Sequence, residues 1–144
     1  MSYNNEIMED CIFCKIVKKE IPASVVYEDA DTLAFLDIAP VNVGHSLVIP
    51  KKHYVNIYET PEETLIEMMK AVKKLSHAIK NGLSADGINV TMNNDPAAGQ
   101  VVFHSHIHII PRVANDGFGL WHGKKPYQEG EKEVVLKKIT SAIA

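Results

Sequence analysis

Five residues, His104-Ser105-His106-Ile107-His108, hold three of the chain's seven histidines in alternation. On an extended strand alternate side chains share a face, so the spacing predicts three imidazoles along one surface. At a rise of ~3.3 Å per residue their Cα atoms would stand roughly 6 to 7 Å apart, too far to stack but suited to surrounding one ligand. Neutral imidazoles in apolar surroundings cost free energy unless their donors and acceptors are paired, which argues against an incidental row. Two chemistries use such a row: zinc ligation with an open coordination position, or attack on phosphorus by one imidazole. The preceding turn, Asn93-Asn94-Asp95-Pro96-Ala97-Ala98-Gly99-Gln100, offers amide and backbone donors, and its glycine lets a backbone approach a ligand closely.

A second group of reactive side chains stands near the N-terminus, where Cys11 and Cys14 flank Ile12 and Phe13. They are too close together to close a useful disulfide loop, and a Cys-x-x-Cys pair of this kind reads as a metal or redox motif. Its remaining ligands must come from elsewhere in the chain.

The elements that would position these groups follow from local pattern. Ile12 to Val17 suits a short helix, and Ser24 to Glu28 and Thr32 to Asp37 read as strands around an Asp29-Ala30-Asp31 turn. Ser46 to Ile49 is a third strand, ended by Pro50. The clearest helix opens at Thr60-Pro61-Glu62-Glu63, with Thr60 as cap, Pro61 at the first helical position and Glu63 closing a capping box. Its apolar face is Leu65, Met69, Val72, Leu75 and Ile79, its stop signal is Asn81-Gly82, and His77 falls on the solvent side. Ile88 to Asn93 forms a fourth strand and Val101 to Ile110 a fifth, ended by Pro111. Asn115 to Gly130 reads as a loop and Glu131 to Ile143 as a closing helix. The pattern is α+β, with an antiparallel sheet covered by helices.

With 144 residues, 46% of them hydrophobic, the chain can build one packed core. The first ten residues lack the order of a secretory signal and read as a flexible N-terminal arm, followed by a single domain over 11–144. No apolar run is long enough for a membrane span, which points to a soluble, cytoplasmic protein. The 15 Lys and Arg against 18 Asp and Glu give a net charge of −3, the wrong sign for a nucleic-acid binder.

The segment Gly99-Gln100-Val101-Val102-Phe103-His104-Ser105-His106-Ile107-His108-Ile109-Ile110 resembles the active-site strand of the histidine-triad (HIT) family. The likeness extends to Cys11-Ile12-Phe13-Cys14-Lys15-Ile16, to Ala34-Phe35-Leu36-Asp37 and to the run from Gly44 to His53. It implies a five-stranded antiparallel sheet with one long helix and shorter helices, pairing as a homodimer into a ten-stranded sheet. It also implies a two-step reaction. His106 displaces the leaving group from a nucleotide's α-phosphate, and water hydrolyses the resulting nucleotidyl-histidine to a nucleoside monophosphate. Dinucleoside polyphosphates and adenosine phosphoramidates are the substrates it suggests.

By the same resemblance, the carbonyl of His104 orients His106. His108, His45, Asn93 and the backbone around Gly99 and Gln100 contact phosphate, and Asp37 accepts from the ribose hydroxyls. Cys11, Cys14, His53 and His104 would close a structural zinc site of the family's zinc-containing branch. Three features depart from the pattern. Val101 stands where many members carry Ser or Thr, Ser105 replaces an apolar residue, and Gly117 to Gly123 lacks the Trp-Pro ending of the phosphoramidase branch. Phe118, Trp121 and Tyr127 are candidate interface or base contacts. Two other readings compete: a nucleotide-binding interaction protein with little catalysis, motivated by Val101, and a zinc hydrolase using the histidine row as ligands.

Overall fold

The computed structural model describes residues 10–120 and 123–143. The proposed arm over residues 1–10 lies outside these except for Asp10, as does Trp121. The chain divides into two compact units, 1–114 and 115–144.

In the first unit, α1 (Ile12–Val17), β1 (Val25–Glu28), β2 (Thr32–Leu36), β3 (Ser46–Pro50), α2 (Glu62–Gly82), β4 (Gly87–Thr91) and β5 (Ile107–Arg112) follow in chain order, with a 3₁₀ turn at Pro96–Ala98. The five strands form one sheet in the order β1-β2-β3-β5-β4, and every pairing is antiparallel. The expected fold class is observed.

Alternation along the strands sorts the core into two layers. Ala34, Val48, Ile107 and Ile109 point to one face and pack with Met68, Ala71, Val72 and Leu75 of α2. Leu33, Phe35, Leu47 and Ile49 point to the other and pack with Phe13 of α1. His108, between Ile107 and Ile109, therefore opens onto the α1 face, opposite Leu47 of β3 and Thr91 of β4.

Several expectations are corrected. Residues 101–106 are not strand: β5 starts at Ile107, because Ser105 N–H donates to Tyr54 O at 2.6 Å instead of to a neighbouring strand. Of the three histidines only His108 is on β5. β3 ends at Pro50 as expected, but Pro111 does not end β5, which runs on to Arg112. Pro111 pairs with Ile88, and the ladder between β3 and β5 has already ended at Ile109, so its missing donor faces no strand. Its carbonyl instead accepts from Asn42 Nδ2 at 2.9 Å.

In α2 the buried stripe runs through Met68, not Met69, which is 52% exposed; the sequence 65, 68, 72, 75, 79 keeps the i+3, i+4 rhythm. Thr60 does not cap the helix. It is buried, with Oγ1 2.7 Å from the Asn56 carbonyl and 2.9 Å from Ser105 Oγ. Glu62 and Glu63 in the first turn complement the helix dipole instead. His77 is exposed, as the pattern predicts.

The second unit contains α3 (Glu131–Ala142), preceded by Gly130 at φ +73°. None of its residues is buried within the chain.

Candidate active site and metal centre

The hydrogen bonds assign the tautomer of each histidine. His106 Nδ1 lies 2.6 Å from the His104 carbonyl, an acceptor only, so Nδ1 carries the proton and Nε2 keeps a free lone pair. The Val41 amide donates to His45 Nδ1 at 3.2 Å, which puts the His45 proton on Nε2. That proton is donated to His108 Nδ1 at 2.9 Å, leaving His108 with its own N–H on Nε2. The result is a nucleophile-competent nitrogen on His106 beside a donor on His108, with ring centroids 5.0 Å apart.

Burial keeps these rings neutral. It is the first cause of the lowered pKa at His106, opposed by the hydrogen bond to His104 and the charge of Asp37. His108 is brought down to about 4, again by burial first and then by His106 and His45. Phe13 meets His106 edge-on at 5.3 Å and closes one side of the ring.

The polar expectations around this centre hold in part. His45 is 4% exposed and both its nitrogens are engaged, so it reaches a ligand through His108. Asp37 Oδ2 is 3.8 Å from His45 Nε2, while its Oδ1 accepts the Ala39 amide at 2.8 Å. The Gly99 and Gln100 amides, expected as phosphate donors, close the 3₁₀ turn onto Pro96 O at 3.0 Å and Asp95 O at 3.2 Å. Gly99 adopts φ +87°, which suits a residue without Cβ. Gln100 is buried and its amide ties the turn to Val55 O at 2.6 Å and Val102 O at 3.1 Å. Asn93 Nδ2 gives one hydrogen to Gly99 O at 3.4 Å and has a second to offer. Val101 is 85% exposed and brings no polar group.

The start of α1 and the segments around His53 and His104 assemble a candidate metal centre. Cys11 Sγ, Cys14 Sγ, His53 Nδ1 and His104 Nδ1 all lie within 4.8 Å of one another. The recorded sulfur to nitrogen separations are 3.5, 3.3 and 3.6 Å. The S···N edge of a tetrahedron with Zn–S ~2.3 Å and Zn–N ~2.0–2.1 Å is about 3.6 Å, so the donor set fits a closed four-coordinate ion. His104 Nε2 donates to the Pro50 carbonyl at 2.8 Å, which leaves Nδ1 unprotonated and facing the sulfurs. In the protein alone, burial and then the neighbouring Cys11 push the Cys14 thiol up to about 12. A cation reverses this, since a coordinating thiol is deprotonated outright. Asp37, His45 and His108 also cluster, but the proton on His45 Nε2 occupies the nitrogen that a second ion would need.

Sequence patterns alone do not reveal the partners that carry most of this geometry: the carbonyls of Pro50 and Tyr54 and the amide of Val41. They are backbone groups, and residue type does not report them. The hydroxyls of Thr60 and Ser105 were visible as residues, but their pairing was not.

An antiparallel sheet of this order, with His106 and the carbonyl that holds it just before β5, is the arrangement of one known family. The chain belongs to the HIT family, whose domain matches residues 18–115. It is 47% identical over 138 residues to the protein hit of Bacillus subtilis, covering 94% of this chain and 93% of that one. It is 44% identical to the adenosine 5'-monophosphoramidase hnt1 of Schizosaccharomyces pombe, over 92% of this chain and 98% of that one. It is 45% identical to the adenylylsulfatase HINT3 of Arabidopsis thaliana, over 78% of this chain and 57% of that one. Among solved structures, a HIT-family protein from Bacillus subtilis superposes with a TM-score of 0.87 at 43% identity, covering 94% of this chain and 98% of that one. A zinc-bound histidine-triad protein from Mycobacterium smegmatis gives 0.74 at 38% identity, covering 94% and 99%. Some relatives of this chain are thus named as hydrolases of adenosine nucleotides.

Proposed function

We propose that the protein cleaves a nucleotide conjugate at its α-phosphate, with His106 Nε2 as the attacking atom. The observation that carries this reading is the 2.6 Å bond from His106 Nδ1 to the His104 carbonyl, which fixes the tautomer with Nε2 free. As Nε2 bonds to phosphorus the bond to the leaving group breaks, and the carbonyl stabilises the imidazolium that forms through its Nδ1–H. Water then attacks phosphorus and releases the nucleoside monophosphate and neutral His106. His108, through Nε2–H, and Asn93, through its amide, hold phosphate oxygens. Asp37 takes the ribose hydroxyls through Oδ2, while Oδ1 stays on the Ala39 amide.

Dinucleoside polyphosphates, adenosine phosphoramidates and adenylyl sulfate are the substrate candidates; the last two classes are supported by the names of the relatives. Cys11, Cys14, His53 and His104 hold zinc in this reading, and the ion supplies a structural crosslink and no open coordination position. The cluster with Cys11, Cys14 and His53 takes His104 out of the histidine row, and His108 Nδ1 is engaged with His45, which disfavours the zinc-hydrolase alternative. The protein works as a homodimer in the cytosol, where both cysteines stay reduced until they meet metal. No helix among the described residues is long and apolar enough to cross a membrane.

His106→Ala should abolish release of the monophosphate from a panel of adenosine and guanosine conjugates while nucleotide binding, measured by calorimetry, is largely retained. Undiminished turnover would reject the proposal. Val101 motivates the alternative of a nucleotide-binding protein with little catalysis, which predicts binding without turnover in the unmodified chain.

A further inference from the structure

The peptide unit joining His104 to Ser105 is a rigid plate, so its carbonyl and its amide hydrogen point in opposite directions and turn together. At one end the His104 carbonyl holds Nδ1 of His106 at 2.6 Å. At the other, Ser105 N–H donates to the Tyr54 carbonyl at 2.6 Å. The unit stands outside the sheet ladder, since β5 begins at Ile107 and its pairing with β3 begins there too. Its rotation is therefore set by Tyr54 and by whatever holds the Ser105 side chain.

That side chain is 1% exposed, and its Oγ lies 2.9 Å from Oγ1 of Thr60, itself 6% exposed. Thr60 is fixed in turn: its hydroxyl and its amide both reach the Asn56 carbonyl, at 2.7 and 3.2 Å. It also sits two residues before the first residue of α2, a helix of 21 residues. Apolar side chains of matching shape would fill the same space at little cost in stability. What two hydroxyls add is a defined distance and direction between the start of α2 and the 104–105 peptide.

We infer that Ser105 and Thr60 are positioning residues for the nucleophile: their hydroxyl pair sets the plane of the 104–105 peptide and hence the direction in which His106 presents Nε2. This rests on the reading of His106 as the attacking base. Neither residue touches the nucleotide.

The test measures rapid-quench formation of the adenylyl-histidine from adenylyl sulfate and from an adenosine phosphoramidate in four variants. Ser105→Ala and Thr60→Val should slow the step about tenfold at saturating nucleotide with KM within about twofold, because small misplacements of a reacting group cost rate heavily. Thr60→Ser keeps the hydroxyl and should keep the rate. Thr60→Val alone strands the Ser105 hydroxyl and lowers Tm. The double variant Thr60→Val/Ser105→Ala removes the unpaired group, so it should regain Tm but not rate. A rate equal to wild type in either single variant, or a double variant that regains rate along with Tm, overturns the inference. If one single variant does not fold, the other decides.

Nitrogen NMR of His106 gives a readout that needs no turnover. Wild type should show one tautomer with the proton on Nδ1, and Ser105→Ala a mixture of both. An unchanged tautomer in the variant overturns the inference. A wild type that forms no adduct removes the reading of His106 as nucleophile without altering what the NMR comparison decides about the peptide plane.

Discussion

His104, His106 and His108 differ in what each Nδ1 touches: cysteine sulfur, a backbone carbonyl, and the N–H of another histidine. In the proposed reading one residue type thus serves a metal centre, a nucleophile and a phosphate donor. The spacing marks all three as one group, and the HIT resemblance assigns the separate roles. The geometry that separates them comes from backbone carbonyls of Pro50 and His104, which no residue pattern encodes. A pH dependence follows. The His106 pKa is lowered, so the folded ring stays neutral below the ordinary value of 6.5. Single-turnover adduct formation should reach half its plateau rate only below pH 6.5. A rate that halves by pH 6.5 would contradict the assigned burial of the ring.

At the scale of elements, the sheet was legible because β2 and β3 alternate cleanly between the two core layers. Leu33 and Phe35 oppose Ala34, and Leu47 and Ile49 oppose Val48. The limits of β5 were not legible, since they depend on where β3 ceases to pair and on Tyr54 capturing the Ser105 amide. The choice of Met68 over Met69 was open for a similar reason: both fit a helical stripe, and contact with the sheet decides.

Gly44 shows how an element can be fixed by one residue. At φ +93° it leads into His45, and a Cβ there would overlap Leu83 Cδ1 and press on Pro111 Cγ at 3.3 Å. Gly44→Ala should lose about 1 to 3 kcal/mol in urea denaturation, from strained backbone and the displaced side chain. An unchanged denaturation midpoint would mean that the loop relaxes freely.

Across the whole molecule, the candidate metal centre joins residues as far apart as Cys11 and His104, 93 positions in sequence. It would tie α1 to the loop after β3 and to the segment that carries His106. Removing zinc with a chelator should therefore lower Tm and reduce activity together, and Cys14→Ser should reproduce both losses with less than one zinc per chain by elemental analysis. Stability should also fall in acid. His108 has a folded value of about 4 against an ordinary 6.5, so the unfolded chain takes up its proton first. Stability is complete above pH 6.5 and is lost as the pH falls toward 4, measurable as urea midpoints across that window. The family's paired sheet predicts a mass of two chains by light scattering at micromolar concentration. A molecule-wide property of this kind is read from resemblance, since the exposed edge of β4 does not itself name its partner.

The most direct test of the central claim is to quench the reaction with an adenosine conjugate within its first turnover and locate the modification by mass spectrometry of the digested protein. The account predicts adenylate on His106 in the unmodified protein and none in His106→Asn. Adenylate on another residue, or normal turnover by His106→Asn, would contradict it.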